Sequence, residues 1–439
     1  MPDYEAPKSG ITRRRFLQGA GAAGALLAAG GARSLAQAAT TRPAALPSPA
    51  QSGIEHIVVL VMENRSFDHF LGWVPGADGR QDGLSYADGP GRLHDTHRLR
   101  DWSGCGFNDP DHSYNGGRVQ FNGGRLDGFR RGANDDYALG YYTEADVPTN
   151  SALAKHFTVF DRWFCSILGP TYPNRFYTHA AATDRISNTM DQSSLPTIWN
   201  RLSDAGVSAN YFFSDLPFLG LFGPQYIQYA RPFDLFYVQA ASGTLPQYTY
   251  LDPFFLGEDQ GGSNDDHPHA DIRRGQSLIA QVANAVMSGP AWDKTVLVIT
   301  YDEWGGFFDH VKPPMMPDND PKHAQVGFRV PTYLISPFAK AGHVNHQVFD
   351  HSSILKMVEW RFGLKPLTPR DAAASNLAEA IDFSKPNKTT AIPNVVDPGP
   401  HLCQGDNAIG MGNSEPFWEE FAASPLMRGW DVVHARNRR

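Results

Sequence analysis

Two runs of apolar, β-branched residues each end in acidic side chains: Ile57 to Met62 is followed by Glu63-Asn64, and Val296 to Tyr301 by Asp302-Glu303. Near-continuous apolar runs of this length suit strands covered on both faces, which are the strands of a mostly parallel sheet. In such sheets ligands bind outside the carboxyl ends of the strands. Polar residues that close strands from distant parts of the chain are therefore expected to meet at one place.

Further strands are expected over Phe157 to Phe164, Val207 to Phe213 and Pro331 to Ser336. Helical spacing of apolar residues marks Pro196 to Ala205, Ser277 to Ser288 and Ser352 to Phe362. The alternation predicts an α/β fold with a mostly parallel central sheet and helices on both faces. Gly76 to Gly132, dense in Gly, Asp, Asn and Arg, reads as long loops laid over that scaffold.

The chain opens with Arg13-Arg14-Arg15-Phe16-Leu17, an apolar stretch from Gly19 to Ala32 and Ala36-Gln37-Ala38 as a cleavage site. This pattern predicts a twin-arginine signal peptide over residues 1–38, with the twin-arginine export machinery as a partner. The apolar stretch is shorter than the ~20 residues a spanning helix needs, so no transmembrane segment is expected. A linker follows over 39–52, then a catalytic domain over 53–380 and a C-terminal tail over 381–439 that packs on the same domain. The exported product is expected in the periplasm or outside the cell.

Residues 1–38 hold five basic and two acidic side chains, so the formal net charge of −8 for the whole chain becomes −11 without them. An acidic protein is poorly suited to nucleic acid or anionic lipid, whose binding relies on Lys and Arg contacts to phosphate. Three cysteines, Cys105, Cys165 and Cys403, lack CxxC spacing, and export permits one disulfide with one thiol left over. The spacing leaves the pairing open. Gly19-x-Gly21-x-x-Gly24 matches a dinucleotide fingerprint in letters only, because no strand precedes it.

Glu63, Asn64, Asp302 and Glu303 are oxygen donors, a set that favours one hard divalent ion, Ca²⁺ or Mg²⁺, while Zn²⁺ and Mn²⁺ remain compatible. Thr171, in Gly169-Pro170-Thr171-Tyr172-Pro173-Asn174-Arg175, sits where proline predicts the first turn of a helix. Its hydroxyl reads either as a helix cap or as a nucleophile that an ion or a base must activate. His112, His267, His269, His310 and His351 each adjoin or closely follow an aspartate or another histidine. Two or three of them converging on the ion can contact a phosphoryl group and move protons.

Glu63-Asn64-Arg65-Ser66-Phe67-Asp68-His69-Phe70, the Gly169 to Arg175 segment and Tyr301-Asp302-Glu303-Trp304-Gly305-Gly306-Phe307-Phe308-Asp309-His310-Val311 resemble the signature segments of the bacterial phospholipase C and acid phosphatase family. The likeness runs from about Gly53 to about Phe362, with three long motifs in order. The resemblance implies an alkaline-phosphatase-like α/β fold and hydrolysis of phosphate esters through a phospho-enzyme. By position it implies Glu63, Asn64, Thr171, Asp302 and Glu303 as metal ligands, Thr171 as nucleophile, and His112 and His267 as phosphate-contacting catalytic residues. His310, Asn174 and Arg175 are further candidates for the phosphate.

Threonine at 171 and the run Phe212 to Phe222 resemble the phospholipase branch, whose substrate is a phosphodiester of lipid, a zwitterionic phospholipid among them. The run itself reads either as a lipid-contacting rim or as buried strand and loop. An acid phosphatase for soluble monoesters is the alternative activity, and a catalytically inactive exported binding protein of the same fold the alternative of another class.

Overall fold

The structure is a computed structural model that describes residues 46–403 and 417–430. Residues 1–38, where an export signal is expected, and residues 39–45 lie outside the described residues. Eight strands form the central sheet: β1 (His56–Met62), β2 (Thr158–Phe160), β3 (Ala209–Phe213), β4 (Ala230–Pro232), β5 (Tyr248–Asp252), β6 (Thr295–Tyr301), β7 (Thr332–Ile335) and β8 (His343–Asn345). Their spatial order is β8-β2-β7-β6-β1-β5-β3-β4, and β7 alone runs against its neighbours.

Every residue of β6, and of β1 after His56, is buried, so both faces of the sheet centre are covered. That explains the continuous apolar runs, since each alternate side chain meets a packed layer rather than water. Helices α1 (Pro148–His156), α2 (Thr171–Ala180), α3 (Ile272–Ser288) and α4 (Ser352–Phe362) contribute to those layers. In α3, Ile272, Ile279, Val282, Ala283 and Val286 lie on the buried face, and Asp271 caps its first turn by accepting from the Arg273 amide. Among the described residues no helix is long and apolar enough to cross a membrane.

Several boundaries differ from the sequence reading. The run Phe157 to Phe164 divides into β2 and a two-residue strand, Trp163–Phe164, because Asp161 and Arg162 turn the chain between them. Helix α3 begins five residues earlier than its apolar spacing predicted. Strand β5 carries no apolar run at all. Its Tyr-Thr-Tyr-Leu-Asp sequence is buried throughout, with the Tyr250 hydroxyl satisfied by Thr178 at 2.9 Å.

The Phe212 to Phe222 run is not a rim. Phe212, Phe213, Phe218, Leu219, Leu221 and Phe222 are all buried, and Phe222 packs on Phe176 of α2 with ring centroids 4.5 Å apart. The run fills the layer behind α2, where burying large apolar surface is most favourable.

Cys105 and Cys403 form a disulfide, and Cys165 is a buried free thiol. The bridge joins the loop region before His112 to the C-terminal segment, where the Cys403 amide also donates to the Gln260 carbonyl at 3.1 Å. Farther along, Trp418 stacks on Phe255 at 4.0 Å.

Glu359 on α4 is almost wholly buried, and burial together with Asp371 pushes its carboxyl up to about 9. The folded chain thus holds a proton that the unfolded chain releases near its ordinary value of 4.5. The resulting stability is present in full below that ordinary value and is lost as pH rises through about 9. Glu359→Gln is expected to raise Tm by about 1–3 °C at pH 8.5 and by less at pH 5, as measured by thermal unfolding at both values.

Candidate active site

The two acidic pairs meet because β1 and β6 are neighbours in register, with Met62 opposite Tyr301. The Asp302 amide donates to the Met62 carbonyl at 2.9 Å, which sets Glu63 and Asp302 side by side. Beyond the strand the backbone turns at Asn64, whose φ of 55° is left-handed, and the Asn64 amide donates to Asp302 Oδ1 at 3.1 Å. A Cβ at Gly305 would collide with the Asn64 carbonyl oxygen, and its φ of 63° also favours glycine. The Gly305-Gly306 pair therefore lets the third motif close over the first.

Other bonds fix the carboxylates. Asp302 Oδ1 also accepts from the Glu303 amide at 2.7 Å, and Glu303 Oε2 from the Gly305 amide at 2.7 Å. Behind them, His351 Nε2 donates to the Asp302 carbonyl at 2.6 Å. Glu303 Oε1 is buried and accepts no hydrogen bond, while Asp302 Oδ2 is ion-paired with Arg175 Nε at 3.4 Å.

Thr171 is the first residue of α2, after Pro170 at the N-cap. Its Oγ1 lies 3.2 Å from Glu63 Oε2 and 3.4 Å from Asn64 Oδ1. The hydroxyl thus faces the acidic cluster. Asn174 holds the turn before it: Oδ1 accepts from the Ile167 amide at 3.0 Å, and Nδ2 donates to the Gly169 carbonyl at 2.7 Å. With its amide so engaged, Asn174 shapes the loop, a different task from the expected phosphate contact.

The first turn of α2 offers few direct donors to an anion. The Tyr172 amide donates to Asn188 Oδ1 at 2.9 Å and Pro173 has no N–H.

Arg175 and His310 also depart from the expected phosphate role. Arg175 turns to the back of the carboxylates, with Nε 2.7 Å from Glu63 Oε1 and 3.4 Å from Asp302 Oδ2. His310 lies in a separate network, with Nδ1 2.5 Å from Asp68 and Nε2 3.1 Å from Asp78. Its ring and Arg329 satisfy Asp68, so the contact is one of strut to strut.

His112 and His267 do reach the cluster. His112 Nε2 lies 3.2 Å from Asn64 Nδ2 and 3.8 Å from Glu303 Oε1, while its Nδ1 faces the Pro110 carbonyl at 2.8 Å. The two rings meet edge to face at 5.7 Å. His267 Nδ1 bonds the Pro268 carbonyl, which can only accept, so the proton sits on Nδ1 and Nε2 is left facing Asp109 at 3.9 Å and Glu258 at 3.8 Å. The sequence reading missed Asp109 and Glu258. Asp109 stands three residues before His112 in Asp109-Pro110-Asp111-His112, a signal that was there to be used; Glu258 had none.

The electrostatics follow from burial. Removal from water raises Glu63 well above the usual carboxylate range, with Arg175 opposing the rise and Asp302, Asp265 and Glu303 adding to it. Burial likewise raises Glu303 against the pull of His112, and Asp302 against that of Arg175. His267 is held well below its ordinary value by burial and then by His112, so the ring rests neutral.

This arrangement fits a cation. Buried carboxylate oxygens ordinarily have hydrogen-bond partners, and Glu303 Oε1 has none, with His112 Nε2 3.8 Å away. Glu63, Asn64, Thr171, Asp302 and Glu303 form the oxygen-rich side. Asp109, His112 and His267 offer ligand atoms within 4.8 Å of one another on the other side. Asp68, Asp309 and His310 form a second group of that spacing, but Arg329 and the His310 amide already occupy their oxygens.

The model of the Phosphoesterase family matches residues 54–365. Non-specific phospholipase C6 of Arabidopsis thaliana is 34% identical over 378 residues, covering 75% of this chain and 72% of its own. Phospholipase C B of Mycobacterium tuberculosis is 32% identical over 469 residues, covering 87% and 88%. The solved phosphonate monoester hydrolase of Agrobacterium radiobacter aligns with a TM-score of 0.41 at 10% identity, over 76% of this chain and 78% of that one.

Fold and site together define a hydrolase acting on phosphoric ester bonds. The chain belongs to the Phosphoesterase family. Replacing Glu303 by Gln, which keeps the acceptor to Gly305 and removes the charge, is expected to weaken divalent-ion binding at least about tenfold with the fold intact. Titration calorimetry of the purified protein measures this directly.

Proposed function

We propose that the protein is an exported, metal-dependent phospholipase C-type enzyme that cleaves the phosphodiester of a zwitterionic phospholipid through a phospho-threonine at Thr171. The observation that carries the reading is the Thr171 hydroxyl, set at a helix start within 3.2 Å of Glu63 and 3.4 Å of Asn64. Similarity to phospholipases C of a plant and a mycobacterium supports the lipid diester over a soluble monoester. The acidic net charge disfavours anionic lipid. For export, the twin-arginine pattern and a disulfide suited to an oxidising compartment are the support.

Glu63, Asn64, Thr171, Asp302 and Glu303 would hold one divalent ion, Ca²⁺ or Mg²⁺ being favoured by the oxygen donors. A bound ion lowers the pKa of the threonine hydroxyl and offsets negative charge on the phosphoryl oxygens. Thr171 would pass its proton to the neutral Nε2 of His267 and attack phosphorus, forming the Thr–O–P bond as the bond to the diacylglycerol oxygen breaks, and His267 would hand that proton to the leaving oxygen. Neutral again, the state that burial favours, His267 would take a proton from the water that attacks phosphorus and return it to Thr171 Oγ1 as the headgroup phosphate leaves.

The test is a substrate panel of phosphatidylcholine vesicles, p-nitrophenyl phosphorylcholine and p-nitrophenyl phosphate, with and without chelator. The two diesters are expected to turn over faster than the monoester, to fail with chelator and to recover with added divalent ion. Thr171→Ala should lose on the order of 10⁴-fold or more in turnover. Acid quench of the wild type turning over p-nitrophenyl phosphorylcholine, followed by peptide mass spectrometry, should find a phosphocholine ester on Thr171. Preference for the monoester would make the protein an acid phosphatase, and near-normal activity of Thr171→Ala would remove the nucleophile assignment.

A further inference from the structure

Arg175 lies one turn into α2, four residues after Thr171, and its side chain is fully buried. The guanidinium spans the ends of three adjacent strands. Nε is 2.7 Å from Glu63 Oε1, just past β1, and 3.4 Å from Asp302 Oδ2, just past β6. Nη1 is 2.8 Å from Asp252 Oδ1, the last residue of β5, and Nη2 donates to the Val61 carbonyl at 3.1 Å. Phe255 flanks the guanidinium at 4.8 Å from its ring centre. At the far end the Tyr211 hydroxyl of β3 donates to Asp252 Oδ2.

Glu63 divides its two oxygens. Oε1 faces Arg175 and Oε2 faces Thr171. Arg175 therefore stands behind the cluster while the reacting groups stand in front of it. A route of direct contacts runs from the backbone of the Thr171 helix through Arg175 to two acidic ligands, then through Asp252 to a strand that contributes nothing else to the site.

A single positive charge would suffice to balance one carboxylate. The three nitrogens of one planar fork, which together reach the ends of β1, β5 and β6, do more: they fix distances among the groups they touch.

We propose that Arg175 is a positioning residue that sets the Thr171 hydroxyl in register with the ion-binding carboxylates, anchored at its far end by Asp252 and Tyr211. This rests on the reading of Thr171, Glu63 and Asp302 given above. Lysine at 175 keeps the charge but loses the fork, and misplacement of a nucleophile by about 1 Å costs on the order of 10²-fold in rate.

The test compares Arg175→Lys, Tyr211→Phe and the double variant, using kcat and KM on p-nitrophenyl phosphorylcholine, divalent-ion affinity by calorimetry, and Tm. Arg175→Lys is expected to lose about 10²-fold in kcat with KM within about threefold, and to bind the ion about tenfold more weakly. Tyr211→Phe should lose about 3- to 10-fold in kcat, and the double variant should be little worse than Arg175→Lys, because both act along one path. Wild-type kcat and ion affinity in folded Arg175→Lys would overturn the proposal, as would losses that multiply in the double variant. If Arg175→Lys does not fold, Tyr211→Phe decides: an unchanged kcat overturns the proposal and a fall with KM held supports it. Thr171→Ala separates the two claims, since its activity tests the nucleophile and leaves Arg175 out.

Discussion

Three carboxylates, Glu63, Asp302 and Glu303, are gathered at the ends of the two central strands of the sheet, out of reach of water. Arg175 brings one positive charge to two of them. Burying a charge is costly unless it is paired and hydrogen-bonded, one arginine serves three carboxylates, and Glu303 Oε1 accepts no hydrogen bond. The fold keeps an arrangement that is unfavourable by itself, which is intelligible if a cation completes it. The raised carboxyls of Glu63 and Glu303 express the same imbalance.

A second acidic cluster makes the contrast. Asp68 and Asp309 are equally buried, yet Arg329 donates to both and the His310 amide and ring complete Asp68. Burial lowers His310, but the Asp68 hydrogen bond and the charges of Asp68 and Asp309 together hold it above its ordinary value. Its oxygens have partners already, so the cluster acts as a brace between the first and third motifs. Similar residue types thus serve a reactive site in one place and a strut in another, and the difference lies in which oxygens are left without donors.

Much of the sheet was legible because β1 and β6 are buried on both faces and so must be apolar throughout. The acidic pairs stood out for the same reason, as polar residues at the ends of such runs. Strand β5 was not legible, since its burial is made tolerable by side-chain partners such as Thr178 for Tyr250, which no local pattern reveals. Arg175 and Asn174 were assigned to phosphate because their motif adjoins Thr171; which way a side chain turns is set by α2 and its neighbours in space. Glu258 enters from a loop with no periodic signal, and the disulfide joins cysteines 298 residues apart. The Phe212 to Phe222 run shows the limit of apolarity as a guide, because composition alone does not separate an exposed rim from the packing behind a helix.

Anomalous diffraction from crystals soaked in Mn²⁺ tests the central claim most directly. The account predicts one strong peak bounded by Glu63, Asn64, the Thr171 hydroxyl, Asp302 and Glu303, with Arg175 outside it. A peak confined to Asp68, Asp309 and His310, or none at the ends of β1 and β6 in a catalytically active crystal, would contradict it.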